Sequence, residues 1–213
     1  MQKVLSPFTY SDDNKRYHTY NYYLRHRFNT KTYKVPLDAG FTCPNRDGKC
    51  GIGGCIFCSS VGSGEFTQPS IKDLLQQYES TRLIMENKWP HAIGIPYFQS
   101  YTNTYGSLER IKECIEPFMQ TDCPAIAIAT RADGLEKEKI DYLASLCDKK
   151  EIWIELGLQS SNDTTATYIN RGHDFKVFKE KVLELSHTPL KLCIHIMNGL
   201  PHESKEDMLN TVK

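Results

Sequence analysis

No apolar run in these 213 residues approaches the roughly 20 that a membrane-spanning helix needs. There is also no surplus of charge. With 26 Lys+Arg against 26 Asp+Glu the formal net charge is zero, so no global field draws the chain to nucleic acid or to an anionic membrane. A polyanionic partner would have to meet a local patch. The start lacks a continuous apolar stretch and carries acidic residues, which argues against a secretory signal or transit peptide and makes the cytoplasm the expected compartment. Low-complexity tracts are missing, and so is any sequence repeat beyond the alternation of secondary structure. The hydrophobic share of 39% and the charged share of 24% are those of a globular chain. The length suits one sizeable domain but falls short of the roughly 250 residues of a closed α/β barrel.

Cysteine is what the chain has in quantity. It carries eight, four of them between positions 43 and 58. In a reducing compartment such a tight group points to metal or redox chemistry before disulfides. The segment GFTCPNRDGKCGIGGCIFCSS holds Cys43, Cys50, Cys55 and Cys58 with four glycines, 48, 51, 53 and 54, among them. Glycines let backbone amides approach inorganic sulfide, and thiolates are the soft ligands that iron–sulfur clusters take. The residues alone leave three readings open. Four thiolates could close a structural zinc site, since the Cys55/Cys58 spacing fits a zinc knuckle. Cys50-x4-Cys55-x2-Cys58 reproduces three ligands of a plant-type ferredoxin, an electron carrier. Cys43, Cys55 and Cys58 could instead hold a cluster that leaves one iron free for a small molecule. Cysteines 114, 123, 147 and 193 are scattered and read as free thiols.

Along the chain, short strand-like runs alternate with amphipathic helical stretches, the pattern of a parallel sheet with crossover helices. Five strands are predicted, at 34–39, 91–98, 125–130, 151–156 and 191–197. Helical periodicity fills 71–88, 107–120, 135–150 and 163–186 between them, and 203–213 reads as the opening of another helix with no stop signal. The expected organisation is a polar, aromatic and basic extension over 1–33, then an incomplete core domain over 34–213. That core is an α/β fold, a partial parallel barrel truncated after the fifth strand. The extension contains RYHTYNYYLRHRF, with Tyr17, Tyr20, Tyr22, Tyr23 and Phe28 among Arg16, Arg25 and Arg27. It reads either as a short helix docking its rings on the core or as a surface where rings stack on bases and arginines meet phosphates. In parallel α/β sheets the loops after the strands' carboxyl ends build the site.

Those strand ends carry a resemblance. YKVPLDAGFTCPNRDG and GGCIFCSS resemble the cluster loop of the radical S-adenosylmethionine family, in its YhcC-like and YtqA-like branch, related to the elongator catalytic subunit and to oxygen-independent coproporphyrinogen oxidase. The likeness continues in order through YFQSYTNTYGSLE (97–109), ATRADGL (129–135), ELGLQSSND (155–163), INRGHD (169–174) and HIMNGLPHESKEDM (195–208). It implies an enzyme with a 4Fe-4S cluster on Cys43, Cys55 and Cys58, with Cys50 a bystander. S-adenosyl-L-methionine would bind the free iron, and one electron from an external donor would release a 5′-deoxyadenosyl radical that takes a hydrogen atom from substrate. The family's Gly-Gly-Glu triplet is missing. Its role in holding the amino group of S-adenosylmethionine falls to Gln99, Ser100, Tyr101, Thr102 and Asn103 together. The resemblance adds Thr130 and Arg131, then Glu155, Gln159 and Ser160, with Gln159 suited to ribose hydroxyls. Gly199, Leu200 and Pro201 are expected near the adenine. His195 and His173 read as satisfied structural groups. Kinship within the branch implies a tRNA substrate, modified at a wobble uridine. The non-catalytic alternative is a zinc-stabilised RNA-binding module.

Overall fold

The computed structural model describes residues 8–12, 14–68 and 72–213. Its elements run α1 (Tyr20–Phe28), β1 (Thr32–Leu37), α2 (Leu74–Lys88), β2 (Ile93–Phe98), α3 (Leu108–Met119), β3 (Ala125–Thr130), α4 (Lys137–Ser145), β4 (Glu151–Gln159), α5 (Asp163–Tyr168), α6 (Phe175–Ser186), β5 (Lys191–Ile196) and α7 (Lys205–Val212). All five strands are parallel in one sheet, in the order β1-β2-β3-β4-β5. This is the five-stranded partial barrel expected from the strand–helix rhythm. No helix among the described residues is long and apolar enough to cross a membrane.

Side-chain alternation along the strands builds two layers. One face carries Val35, Leu37, Phe98, Ile126, Ile128, Ile152, Ile154 and Leu156, all buried under the crossover helices. Phe118 of α3 lies at the centre of that layer with its ring edge-on to Tyr78 and Phe98 at 5.7 Å from each. The other, concave face is lined more sparsely. Ile95, Ala125, Ala127 and Trp153 form a small cluster there with Leu24 of α1. Tyr20 and Tyr23 of α1 set their rings against Trp153, with centroids 5.3 and 5.9 Å away. Arg27 ion-pairs with Glu151. The aromatic start of the chain therefore plugs the floor of the barrel through these two tyrosines, whereas Tyr17 remains exposed.

Helix starts are set by side-chain caps. Asp73, Ser107, Asn162 and Asp174 accept from backbone amides of their first turns, and Ser204 with Asp207 forms a reciprocal capping box that opens α7. One expectation changes. The helical stretch at 163–186 is two helices, because Asn170 (φ 54°) and Gly172 (φ 82°) adopt left-handed conformations that a helix cannot continue through. A Cβ on Gly172 would also lie 2.8 Å from Oδ1 of Asn45. The apolar periodicity on either side of this break hid it.

Removing the most central ring tests this layering. Phe118 is wholly buried, and Phe118→Ala is expected to lower stability by about 3–5 kcal/mol, read as an earlier midpoint in urea unfolding with an unchanged slope.

Candidate functional site

Parallel strands deliver β1–β4 and β5 with their carboxyl ends at one mouth, where the cysteine loop folds over the concave face. Its turns are backbone-bonded: Arg46 N–H donates to the Cys43 carbonyl at 2.8 Å, and Cys58 N–H to that of Cys55 at 3.0 Å. Asn45, fully buried, ties the loop to the break between α5 and α6. Its Nδ2 donates to the Asn170 carbonyl at 2.6 Å and to the Cys55 sulfur at 3.5 Å. Asn170 returns a bond to the Gly54 carbonyl at 2.7 Å. On the opposite side Tyr101 donates to the Ser60 carbonyl at 2.7 Å and Gln99 to that of Ser63 at 2.6 Å. Gly62 (φ 62°) lets this contact close, since a Cβ there would lie 2.3 Å from the Tyr101 ring.

Between the loop and the strand ends is a cleft of about 290 Å³. Cys43, Cys55 and Cys58 all border it, together with Gln99, Tyr101, Thr102, Thr130, Arg131, Glu155 and Gln159 from the sequence-derived set. Cys50 does not. It is exposed, 3.8 Å from Oδ2 of Asp133 and 3.7 Å from Nη2 of Arg131, and partial burial followed by the Asp133 charge keeps its thiol pKa above the ordinary value despite Arg131. Ser100 and Asn103 are buried behind the rim. Asn103 Nδ2 braces the loop by donating to the Phe98, Ser100 and Ala129 carbonyls. Ser160 bonds Glu203, and Gly199, Leu200 and Pro201 lie outside the cleft lining. A larger void of about 440 Å³ between α2 and α3 is lined by none of the four loop cysteines.

The cleft also takes residues that the sequence does not single out as site residues, among them Tyr97, Gly157, Arg171 and His195. Arg131 and Arg171 are both almost wholly buried beside the thiols. Arg131 is held by Asp133 through two bonds at 2.7 and 2.8 Å, and it donates to the Arg171 carbonyl at 2.8 Å. Burial opposes the charge of Asp133, yet the Arg131 guanidinium holds its carboxyl below the usual range. Arg171 donates to the Gly157 carbonyl, while its Nε has no partner among the described residues. Burial and then the neighbouring Arg131 lower its pKa, the cost of a buried cation that an anion in the cleft would offset.

Below the arginines lies a charged floor. Glu155, its side chain wholly buried, ion-pairs through Oε1 with Lys34 and through Oε2 with Nε2 of His195 at 2.9 Å. Burial works against its charge, but the His195 bond and the Lys34 charge prevail and lower its pKa. His195 is pushed up to about 9, first by its hydrogen bond with Cys193 and then by Glu155.

The donor set can be matched against candidate metals. A tetrahedral zinc with Zn–S near 2.3 Å draws its sulfurs to within about 4 Å of one another. Among the described residues the loop cysteines do not gather three donor atoms within 4.8 Å. A cuboidal cluster is larger than an ion and spreads its thiolates. Three sulfurs around one cleft, beside two buried guanidinium groups, fit such an anionic cluster better than a single ion.

Comparison with known proteins bears on the family and the fold. The family model of the radical SAM superfamily matches residues 43–213. The chain is 45% identical over 209 residues to the uncharacterized protein YtqA of Bacillus subtilis (strain 168), covering 98% of this chain and 65% of the relative. It is 33% identical to protein YhcC of Escherichia coli (strain K12), covering 89% of this chain and 61% of that one. With the uncharacterized protein MJ0486 of Methanocaldococcus jannaschii it shares 34% identity, over 91% and 60% of the two chains. The chain thus spans less than two thirds of the length of these curated relatives. Among solved structures, the archaeal Methanocaldococcus infernus Elp3 with an N-terminal deletion matches with a TM-score of 0.54 over 85% of this chain and 41% of that one, at 18% identity, which speaks for the fold.

The floor makes a titration testable. A histidine whose folded pKa lies above its ordinary 6.5 adds stability that is whole below that value and fades as pH rises towards 9. The imidazole protons of His195, facing Glu155 and Cys193, with Lys34 beyond the carboxylate, are expected to titrate by NMR near pH 9, and Glu155→Gln should return the midpoint towards the ordinary value.

Proposed function

Because this chain belongs to the radical SAM superfamily, we propose that Cys43, Cys55 and Cys58 hold a 4Fe-4S cluster with one iron left for S-adenosyl-L-methionine, and that the protein is an enzyme acting through the resulting radical on a tRNA wobble uridine. When bound, the cluster and S-adenosylmethionine supply reductive cleavage of the sulfonium and a carbon radical that abstracts hydrogen from substrate. The observation that carries the reading is the sorting of the four loop thiols: three border one cleft, and Cys50 turns instead to Asp133 and Arg131.

The chain's own residues supply binding and electrostatics. Arg131 and Arg171 offset the negative charge that three thiolates bring to a buried place. Asn45 donates towards the Cys55 sulfur, a bond of the kind that tunes a cluster's potential. Gln99, Tyr101 and Thr102 form one rim and Thr130 and Gln159 the other, giving amide and hydroxyl partners to a polar cofactor. Phe57 borders the same cleft and helps exclude water from it.

The tRNA substrate and the external one-electron donor rest on the family resemblance. On a chain without net charge, the exposed Tyr17 and the basic Arg25 and His26 in the last turn of α1, Arg25 lying 3.8 Å from Asp12, are where contact with RNA would be sought. Given S-adenosylmethionine and dithionite under anaerobic conditions, the iron-loaded protein is expected to form methionine and 5′-deoxyadenosine. Cys50→Ser should keep this activity, and Cys43→Ala, Cys55→Ala and Cys58→Ala should each abolish it. Loss in Cys50→Ser with retention in Cys43→Ala would overturn the ligand assignment. Nucleoside analysis of tRNA before and after incubation tests the substrate.

A further inference from the structure

In the sequence Cys193 reads as a free thiol and His195 as a structural group, yet the fold brings them together with Glu155 on the concave face. Cys193 and His195 are two residues apart on β5, so their side chains share a face. Glu155 is the Cα partner of Cys193 across the β4–β5 ladder, and His195 pairs with Gly157 one step nearer the mouth. One ligand atom from each, a carboxylate oxygen, a thiol sulfur and an imidazole nitrogen, lie within 4.8 Å of one another. No other set of three His, Cys, Asp or Glu side chains among the described residues is gathered so tightly.

We propose that Glu155, Cys193 and His195 form a binding site for a divalent borderline cation, zinc in the first instance, separate from the cysteine loop. The donor types are those zinc takes, and three protein ligands with a fourth position open is the form of zinc sites that meet a substrate. Both Glu155 and His195 border the cleft, so the fourth position opens into it. Glu155 Oε2 and His195 Nε2 stand 2.9 Å apart, and ligand distances of about 2.0–2.2 Å require them to separate by only a few tenths of an ångström around a tetrahedral ion. Lys34 occupies the other carboxylate oxygen, an outer partner that orients Oε2 towards the imidazole. All three ligands stand on strands, which fix their spacing better than loops do. The ion takes the place of the proton that His195 shares with Glu155, and the Cys193 thiolate adds a negative charge beside the Lys34–Glu155 pair.

The inference does not depend on the cluster, and its test separates the two. The intact, iron-loaded protein is equilibrated with zinc, dialysed, and measured for metal content and zinc-edge X-ray absorption. One zinc per chain in addition to iron is expected, with a single sulfur neighbour near 2.3 Å and the remaining neighbours nitrogen or oxygen near 2.0–2.1 Å. Cys193→Ser and His195→Gln should each lose the zinc and keep the iron, and Cys50→Ser should keep both. Cys55→Ala should lose the iron and keep the zinc. No retained zinc, zinc held equally well by Cys193→Ser and His195→Gln, or a zinc surrounded by three or four sulfurs would overturn the proposal.

Discussion

The mouth of this molecule hangs on the carboxamide of Asn45. A buried amide donor must find partners inside the protein, and Asn45 Nδ2 finds them in the Asn170 carbonyl and the Cys55 sulfur, while its Oδ1 has no hydrogen-bond partner among the described residues. That choice joins two segments more than a hundred residues apart: the cysteine loop after β1 and the break between α5 and α6. The break then has to be left-handed and glycine-bearing, because a side chain at Gly172 would strike the same amide. Arg171, in the same break, is carried to the Gly157 carbonyl and the side of the thiols. One buried polar group thus fixes the position of a loop sulfur and of a cation beside it.

A second constraint acts beneath it. The concave face is lined by small residues on β3, Ala125, Ala127 and Ala129, and by charged or polar ones around them. Small side chains leave room for a ligand but leave little apolar surface to stabilise the interior. The interior is instead held by an ionic network in which Glu155 receives Lys34 from β1 and His195 from β5, linking the two outermost strands through β4. Breaking such a network by removing one member leaves an uncompensated buried charge, which is why the carboxylate and its partners must be considered together. Apolar closure is left to α1, whose Leu24, Tyr20 and Tyr23 seal the opposite end against Trp153.

Much of this was legible in the sequence because it is written in local patterns. Strands such as AIAIAT and EIWIEL declare themselves by composition, and the four close cysteines announce metal chemistry whatever the fold. The sorting of Cys50 from the other three came from resemblance and has its physical counterpart in the Arg131–Asp133 pair that faces it. The rest depends on partners distant in the chain. Asn45 looks like any loop asparagine until Asn170 is beside it. Arg171 is one polar residue in INRGHD, and nothing in its neighbourhood predicts that it will be buried against thiols. A single histidine in a strand, as His195 is, is usually structural. Only the β4–β5 register sets it over Glu155 and beside Cys193. The split of 163–186 into two helices was hidden for the opposite reason, since the apolar spacing continues smoothly across a break that is made by backbone conformation.

The central proposal is an open coordination position at a cluster held by Cys43, Cys55 and Cys58. Electron paramagnetic resonance of the anaerobically reconstituted, reduced protein tests this most directly, recorded with and without S-adenosylmethionine. A reduced-cluster signal whose g-values shift when S-adenosylmethionine is added is expected. A signal that S-adenosylmethionine leaves unmoved, or a protein that takes zinc into the loop and shows no cluster signal, would contradict it.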